Sequence, residues 1–134
     1  MKTTFVDTSY YLALLNADDQ WYAAAIKLAP KLRKARLVAT RWVLMEVADA
    51  LRDTASRGIA GEFIRKLVAR TDMVVVSGSD ALFDRGLRFY EKHRDKEWSL
   101  TDCVSFVVMQ EANIREALAF DKHFHQAGFR VISA

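Results

Sequence analysis

The sequence predicts an α/β protein on a mainly parallel sheet of about five strands. Three observations lead there. Short β-type apolar runs alternate with longer stretches of helical periodicity. Acids stand directly after apolar runs, where open parallel sheets place their ligand-binding groups. No repeat, low-complexity stretch or Pro/Gly/Ser-rich linker breaks the 134 residues. A hydrophobic content of 51% is enough to bury a core without disulfides or a structural metal, so one domain spanning 1–134 is expected.

The first candidate strand is "TTFV" at 3–6, ended by Asp7, Thr8 and Ser9, residues that terminate strands and cap helices. A helix is expected after Asp18 or Asp19 in "DDQWYAAAIKLA", ended or kinked by Pro30. "RLVA" at 36–39 reads as the second strand. In "WVLMEVADALRDTASRG" the residues Val43, Leu44, Val47, Ala48 and Leu51 form one apolar stripe, with Gly58 as terminator. "GEFIRKLVART" follows, with Phe63, Ile64, Leu67 and Val68 on one face. Then come the strand "MVVV" at 73–76, a helix capped by Ser79 or Asp80, the apolar helix "CVSFVVMQEA" behind "SLTD", and the strands "ALAF" at 117–120 and "RVIS" at 130–133.

Composition narrows the setting. Cys103, the only cysteine, sits in the apolar run "DCVSFVVM" and reads as a core thiol, so nothing implies an oxidising compartment. Asp7 would interrupt a signal peptide and "YYLALL" is too short to span a membrane, so a cytoplasmic protein without a membrane partner is expected. A net charge of +3 suits a polyanion, although the basic residues are dispersed. Five glycines form no phosphate-binding loop, which argues against P-loop and Rossmann proteins.

The chemistry lies in the acids. Asp7 follows "TTFV" and Asp121 follows "ALAF"; if both strands are central and parallel, both carboxylates leave the same sheet edge. Glu46 falls in the second turn of the next helix, roughly 9 Å from its start, and its side chain leans back toward that edge. Asp102 stands in "SLTD", where Ser99 and Asp102 also fit a capping box. Each has a plain structural alternative: cap for Asp7 and Asp102, solvated face for Glu46, turn acid for Asp121. Together, however, four such acids would repel one another unless a divalent cation held them. Magnesium, with its preference for oxygen ligands and retained waters, is the natural candidate.

With these residues in view the chain resembles the PIN-domain ribonucleases, most closely the VapC toxins of bacterial and archaeal toxin–antitoxin pairs. The resemblance rests on "FVDTSYYLALL", "EVADAL", "DKEWSLTDCVSFVVM" and "ALAFDKHFHQAGFRVI", in that order over essentially the whole chain. It implies a PIN-like three-layer α/β/α sandwich and a metal-dependent endoribonuclease whose catalytic acids are Asp7, Glu46, Asp102 and Asp121. Asp7, Asp102 and Asp121 would hold Mg²⁺, or Mn²⁺ in its place. The hydroxyls of Thr8, Ser9 and Ser99 would contact substrate phosphate or a carboxylate, and they also suit capping. Ala119 stands where many relatives carry threonine. The implied partners are an RNA substrate, a small antitoxin and a second copy of the chain. The alternative is a PIN-like module that binds RNA or protein without cutting.

Other features carry less. The i, i+2 spacing of His123 and His125 does not suit one helical face, so the histidines read as structural or surface residues rather than zinc ligands. Trp21, Tyr22, Trp42 and Trp98 read as packing aromatics, with base stacking or antitoxin binding as the alternative. Lys31, Arg33, Lys34, Arg36 and Arg41 could guide an RNA backbone or simply form a solvated face. A phosphatase with a nucleophilic aspartate would need a second Asp two residues after Asp7, where Ser9 stands.

Overall fold

The computed structural model describes residues 2–132. Five strands, β1 (Lys2–Val6), β2 (Ala35–Thr40), β3 (Met73–Val76), β4 (Glu116–Leu118) and β5 (Arg130–Val131), form one sheet in the order β3-β2-β1-β4-β5. Every pairing is parallel, and Thr4 of β1 faces Leu37 on one side and Glu116 on the other. The expected α/β architecture with about five parallel strands is therefore present.

Chain direction explains where the helices lie. From β1 the chain steps outward to β2 and β3; it then jumps back across the sheet to β4 and continues to β5. Parallel crossovers are right-handed, so reversing the stepping direction moves the connecting helices to the opposite face. Helices α1 (Thr8–Leu15), α2 (Tyr22–Leu28), α3 (Arg41–Ala50) and α4 (Arg57–Val68) cover one face. Helices α5 (Asp80–Lys92), α6 (Leu100–Glu111) and α7 (His123–Gln126) cover the other. The reversal makes a switch point between β1 and β4.

Both faces of the sheet are buried. Phe5, Val6, Leu37, Ala117 and Leu118 are at most 2% exposed, which accounts for the nearly continuous apolar reading of the strands. Helix α6 is buried at every residue from Asp102 to Met109, with Phe106 packed against Phe124 at 4.9 Å and against Trp98 at 5.1 Å. Its other neighbour is α5, and the two helices approach closely there because Gly86 lacks a side chain. A Cβ at Gly86 would overlap the Val104 side chain and press on its Cα at 3.2 Å. Trp98 is thus a core residue, whereas Trp21 is 43% exposed and stacks on Phe120.

Element boundaries depart from the sequence reading where side chains compete for backbone groups. Gly58 does not end α3; that helix stops at Ala50, and Gly58 is the second residue of α4. In between, the Asp53 carboxylate accepts from Ser56 N, while Arg52 Nη1 donates to the Asp49 carbonyl, so a polar turn replaces the helix. Asp19 likewise forms a turn, accepting from Trp21 N, and α2 begins at Tyr22. Val68 lies off the buried face of α4 at 44% exposure. "ALAF" is strand only through Leu118, and "RVIS" only at Arg130–Val131; its Ser133 lies outside the described residues.

Candidate active site

The carboxyl ends of β1, β2 and β4 and the N-terminus of α6 meet in a groove of about 420 Å³. Asp7, Glu46, Asp102 and Asp121 all line it, as do Thr8, Ser9 and Ser99. No Lys or Arg does.

Asp7 is both a cap and a groove residue. The β1 backbone continues into it with φ −87° and ψ 160°, and its N donates to the Leu118 carbonyl at 3.0 Å, tying the ends of β1 and β4. Its Oδ2 accepts from Ser9 N at 3.1 Å and from Ser9 Oγ at 2.7 Å, so α1 starts on this carboxylate. Ser9 Oγ in turn accepts from Phe120 N at 2.9 Å. One hydroxyl therefore positions Asp7 and fixes the backbone directly before Asp121. Because Ala119 offers no hydroxyl, the bridge through Ser9 is the support this segment has.

Asp102 is the third residue of α6 and completes the capping box: Asp102 N donates to Ser99 Oγ at 3.0 Å and Ser99 N to Asp102 Oδ2 at 3.3 Å. Both Asp7 and Asp102 thus sit at helix N-termini, where the helix dipole favours negative charge. Glu46, in the second turn of α3, accepts from Thr8 Oγ1. Asp121 Oδ1 accepts from His123 N at 2.9 Å in the turn that opens α7.

Sequence reasoning missed His123. Its Nδ1 lies 3.0 Å from Asp102 Oδ2 and 3.9 Å from Asp121 Oδ1, and one donor atom from each of Asp102, Asp121 and His123 falls within 4.8 Å of the others. The available signal was its place two residues after Asp121; weighed as a zinc pair with His125, which is exposed, it read as a structural or surface residue. Asp49, on the groove side of α3 three residues after Glu46, was also missed.

Electrostatics mark the groove as short of positive charge. Burial, then the charge of Asp121, pushes the Asp7 carboxyl well above its ordinary range despite the two bonds from Ser9. Asp102 is raised by burial and by Asp121, opposed by Ser99 N and His123. Glu46 is raised by burial first and by Asp102 and Asp121 after it. The donors are mainly carboxylate oxygens with one imidazole nitrogen, a set that suits magnesium or manganese. The buried Cys103 thiol, pushed up to about 11 chiefly by burial, is inert.

The dispersed cations divide. Arg41 opens α3 at the groove edge. Lys31, Arg33, Lys34 and Arg36 instead precede or begin β2, at the amino edge, roughly 20 Å away along a six-residue strand. They cannot guide RNA within the groove.

Known proteins resemble the chain in sequence and in fold. The PIN domain family model matches residues 4–130. The 23S rRNA-specific endonuclease VapC20 of two Mycobacterium tuberculosis strains is 31% identical over 128 residues, covering 93% of this chain and 94% of the relative. The crystal structure of M. tuberculosis VapC20, a sarcin-ricin loop cleaving toxin, superposes with a TM-score of 0.88 at 29% identity, covering 98% of this chain and 99% of that one. FitAcB from Neisseria gonorrhoeae shares the fold, with a TM-score of 0.67 at 11% identity over 97% and 96% of the two chains.

Proposed function

The chain belongs to the PIN-domain family, and from that premise we propose that it is a metal-dependent endoribonuclease, the toxin of a VapBC-type pair, folded as one domain over residues 1–134. The observations that carry the proposal are that four carboxylates from four separate elements line one groove with no Lys or Arg, and that ligand atoms of Asp102, Asp121 and His123 lie within 4.8 Å of one another, with Asp7 and Glu46 outside that group. Asp7, Asp102 and Asp121 would hold Mg²⁺ or Mn²⁺, with Glu46 beside them. When bound, such an ion polarises a phosphoryl oxygen and lowers the pKa of a coordinated water.

The chain's own residues supply the rest. Glu46, held by Thr8 on the groove wall, is placed to accept a proton from the attacking water. His123 orients Asp102, and Ser9 keeps Asp7 and the Asp121 turn in register. Thr8, Ser9 and Ser99 line the groove where a scissile phosphate would pass. We extend to this chain an RNA loop of the kind the mycobacterial relative cuts, a small antitoxin that covers the groove, and a homodimeric state in the cytoplasm. Among the described residues no helix is long and apolar enough to cross a membrane.

The test is cleavage of a pool of RNA containing a ribosomal hairpin loop, with magnesium, manganese or chelator, beside Asp7→Asn. Metal-dependent cutting that disappears in the variant is the expected result. No cutting and no manganese binding in calorimetry would leave Asp7 as a cap and favour a binding module.

A further inference from the structure

The amino edge of the sheet is built with the opposite charge. Three neighbouring recesses, of about 440, 490 and 620 Å³, surround the starts of β1, β2, β4 and β5 and share Glu116. Among the described residues six cations line them, Lys2, Lys31, Lys34, Arg36, Arg115 and Arg130, with one carboxylate, that of Glu116. Glu116, 16% exposed, is already engaged by Lys2 Nζ at 2.9 Å and approached by Arg130 Nη1 at 3.8 Å. Among the described residues no carboxylate forms an ion pair with Lys34, Arg36 or Arg115, all exposed. A charge excess of this size in a chain of net charge +3 means that the remaining surface is on balance negative.

We propose that this edge is a second RNA-binding surface, which grips backbone phosphates of a folded substrate away from the point of cleavage. The inference rests on the ribonuclease reading for the identity of the polyanion. A groove lined by five acids and no Lys or Arg repels phosphate, so affinity for RNA has to come from elsewhere on the molecule. Long, solvated Lys and Arg side chains around shallow recesses suit a phosphate backbone, which needs charge and reach rather than a closed pocket. A second copy of the chain is a poor occupant, because two such edges repel each other. The two edges stand about 20 Å apart, about the length of six stacked nucleotides at roughly 3.4 Å each, so a folded ribosomal fragment can engage both.

The experiment compares wild type, Lys34→Gln/Arg36→Gln/Arg115→Gln, and the control Arg57→Gln/Lys66→Gln/Arg88→Gln, by fluorescence anisotropy in chelator with a labelled folded rRNA fragment and by steady-state cutting of that RNA in manganese. The patch variant should lose tenfold or more in affinity for the folded RNA. Its log K against log salt should flatten by about 2, at about 0.7 to 0.9 for each phosphate that is no longer neutralised. In manganese, kcat for cutting the same RNA should be unchanged while KM rises. Equal loss in the control, or no loss in the patch variant, overturns the proposal, and so does retained RNA binding with loss of binding to polyglutamate. Failure of the nuclease reading shows separately, as patch-dependent binding of an RNA that wild type does not cut in manganese.

Discussion

Replacing Asp121 by Asn should make the metal-free protein more stable and the metal-loaded protein relatively less so. Donor atoms of Asp102 and Asp121 lie within 4.8 Å of each other. Two unit charges at that distance repel by about 3 kcal/mol at an effective dielectric constant of about 20. The Asp121 side chain is 30% exposed, and water screens part of this, leaving about 1–2 kcal/mol. Asn keeps the carbonyl oxygen that accepts from His123 N, so the turn into α7 survives. For a chain of this size the relief corresponds to a Tm rise of roughly 3–8 °C in chelator. Manganese at a hundredfold excess over Kd should stabilise wild type by about 2.7 kcal/mol, and the variant much less. Differential scanning fluorimetry with chelator and with manganese reads both arms, and the two melting curves should exchange order. A variant that melts lower in chelator yet gains as much from manganese as wild type would make Asp121 a turn acid and refute the reasoning.

Removing His123 with Ala should leave the fold intact and weaken manganese binding by about 10–100-fold in calorimetry, because it frees the Asp102 carboxylate that its Nδ1 holds at 3.0 Å; unchanged affinity would make it a bystander. Gly86→Ala should cost about 1–3 kcal/mol in urea unfolding, since the methyl group meets Val104 where α5 packs on α6; a neutral result would mean that the helices separate freely. In chelator, stability should fall as pH rises from the ordinary carboxylate range through the raised values of Asp7, Asp102 and Glu46. Within that window the folded state binds more protons than the unfolded chain, so deprotonation favours unfolding. Urea titrations at successive pH values, with manganese reversing the trend, check the sign.

Local signals reached much of this structure. Short apolar runs marked all five strands because a parallel sheet covered on both faces needs apolar residues at nearly every position. The four acids were legible because a carboxylate directly after a strand, or in the first turns of the next helix, is confined to one sheet edge. Partnerships between distant residues were not legible. Ser9 and Phe120 meet across 111 positions, and His123 and Asp102 across 21, so no periodicity could join them. Helix ends set by side chains, such as the Asp53 turn that stops α3, were also misplaced, because Gly58 is the stronger local signal and the actual competitor is a carboxylate.

The division of charge between the two edges follows from topology. In an all-parallel sheet every strand starts at one edge and finishes at the other, so a residue's position before or after its strand decides which edge it joins. Here cations stand before or at the starts of strands, Lys2 at β1, Lys34 and Arg36 at β2, Arg115 before β4 and Arg130 at β5, while Asp7 and Asp121 follow β1 and β4. Apart from Asp72 and Glu116 at the starts of β3 and β4 and Arg41 after β2, bases precede the strands and acids follow them, which separates attraction for a polyanion from the place where a metal would be held. The two should respond to different variables. Affinity for long RNA should fall steeply with monovalent salt and be indifferent to Asp121→Asn, whereas kcat at saturating RNA should follow the divalent ion and be indifferent to the loss of Lys34 and Arg36. If a single variant moved both in parallel, the edges would not be separate devices and the charge division would be an accident of surface composition.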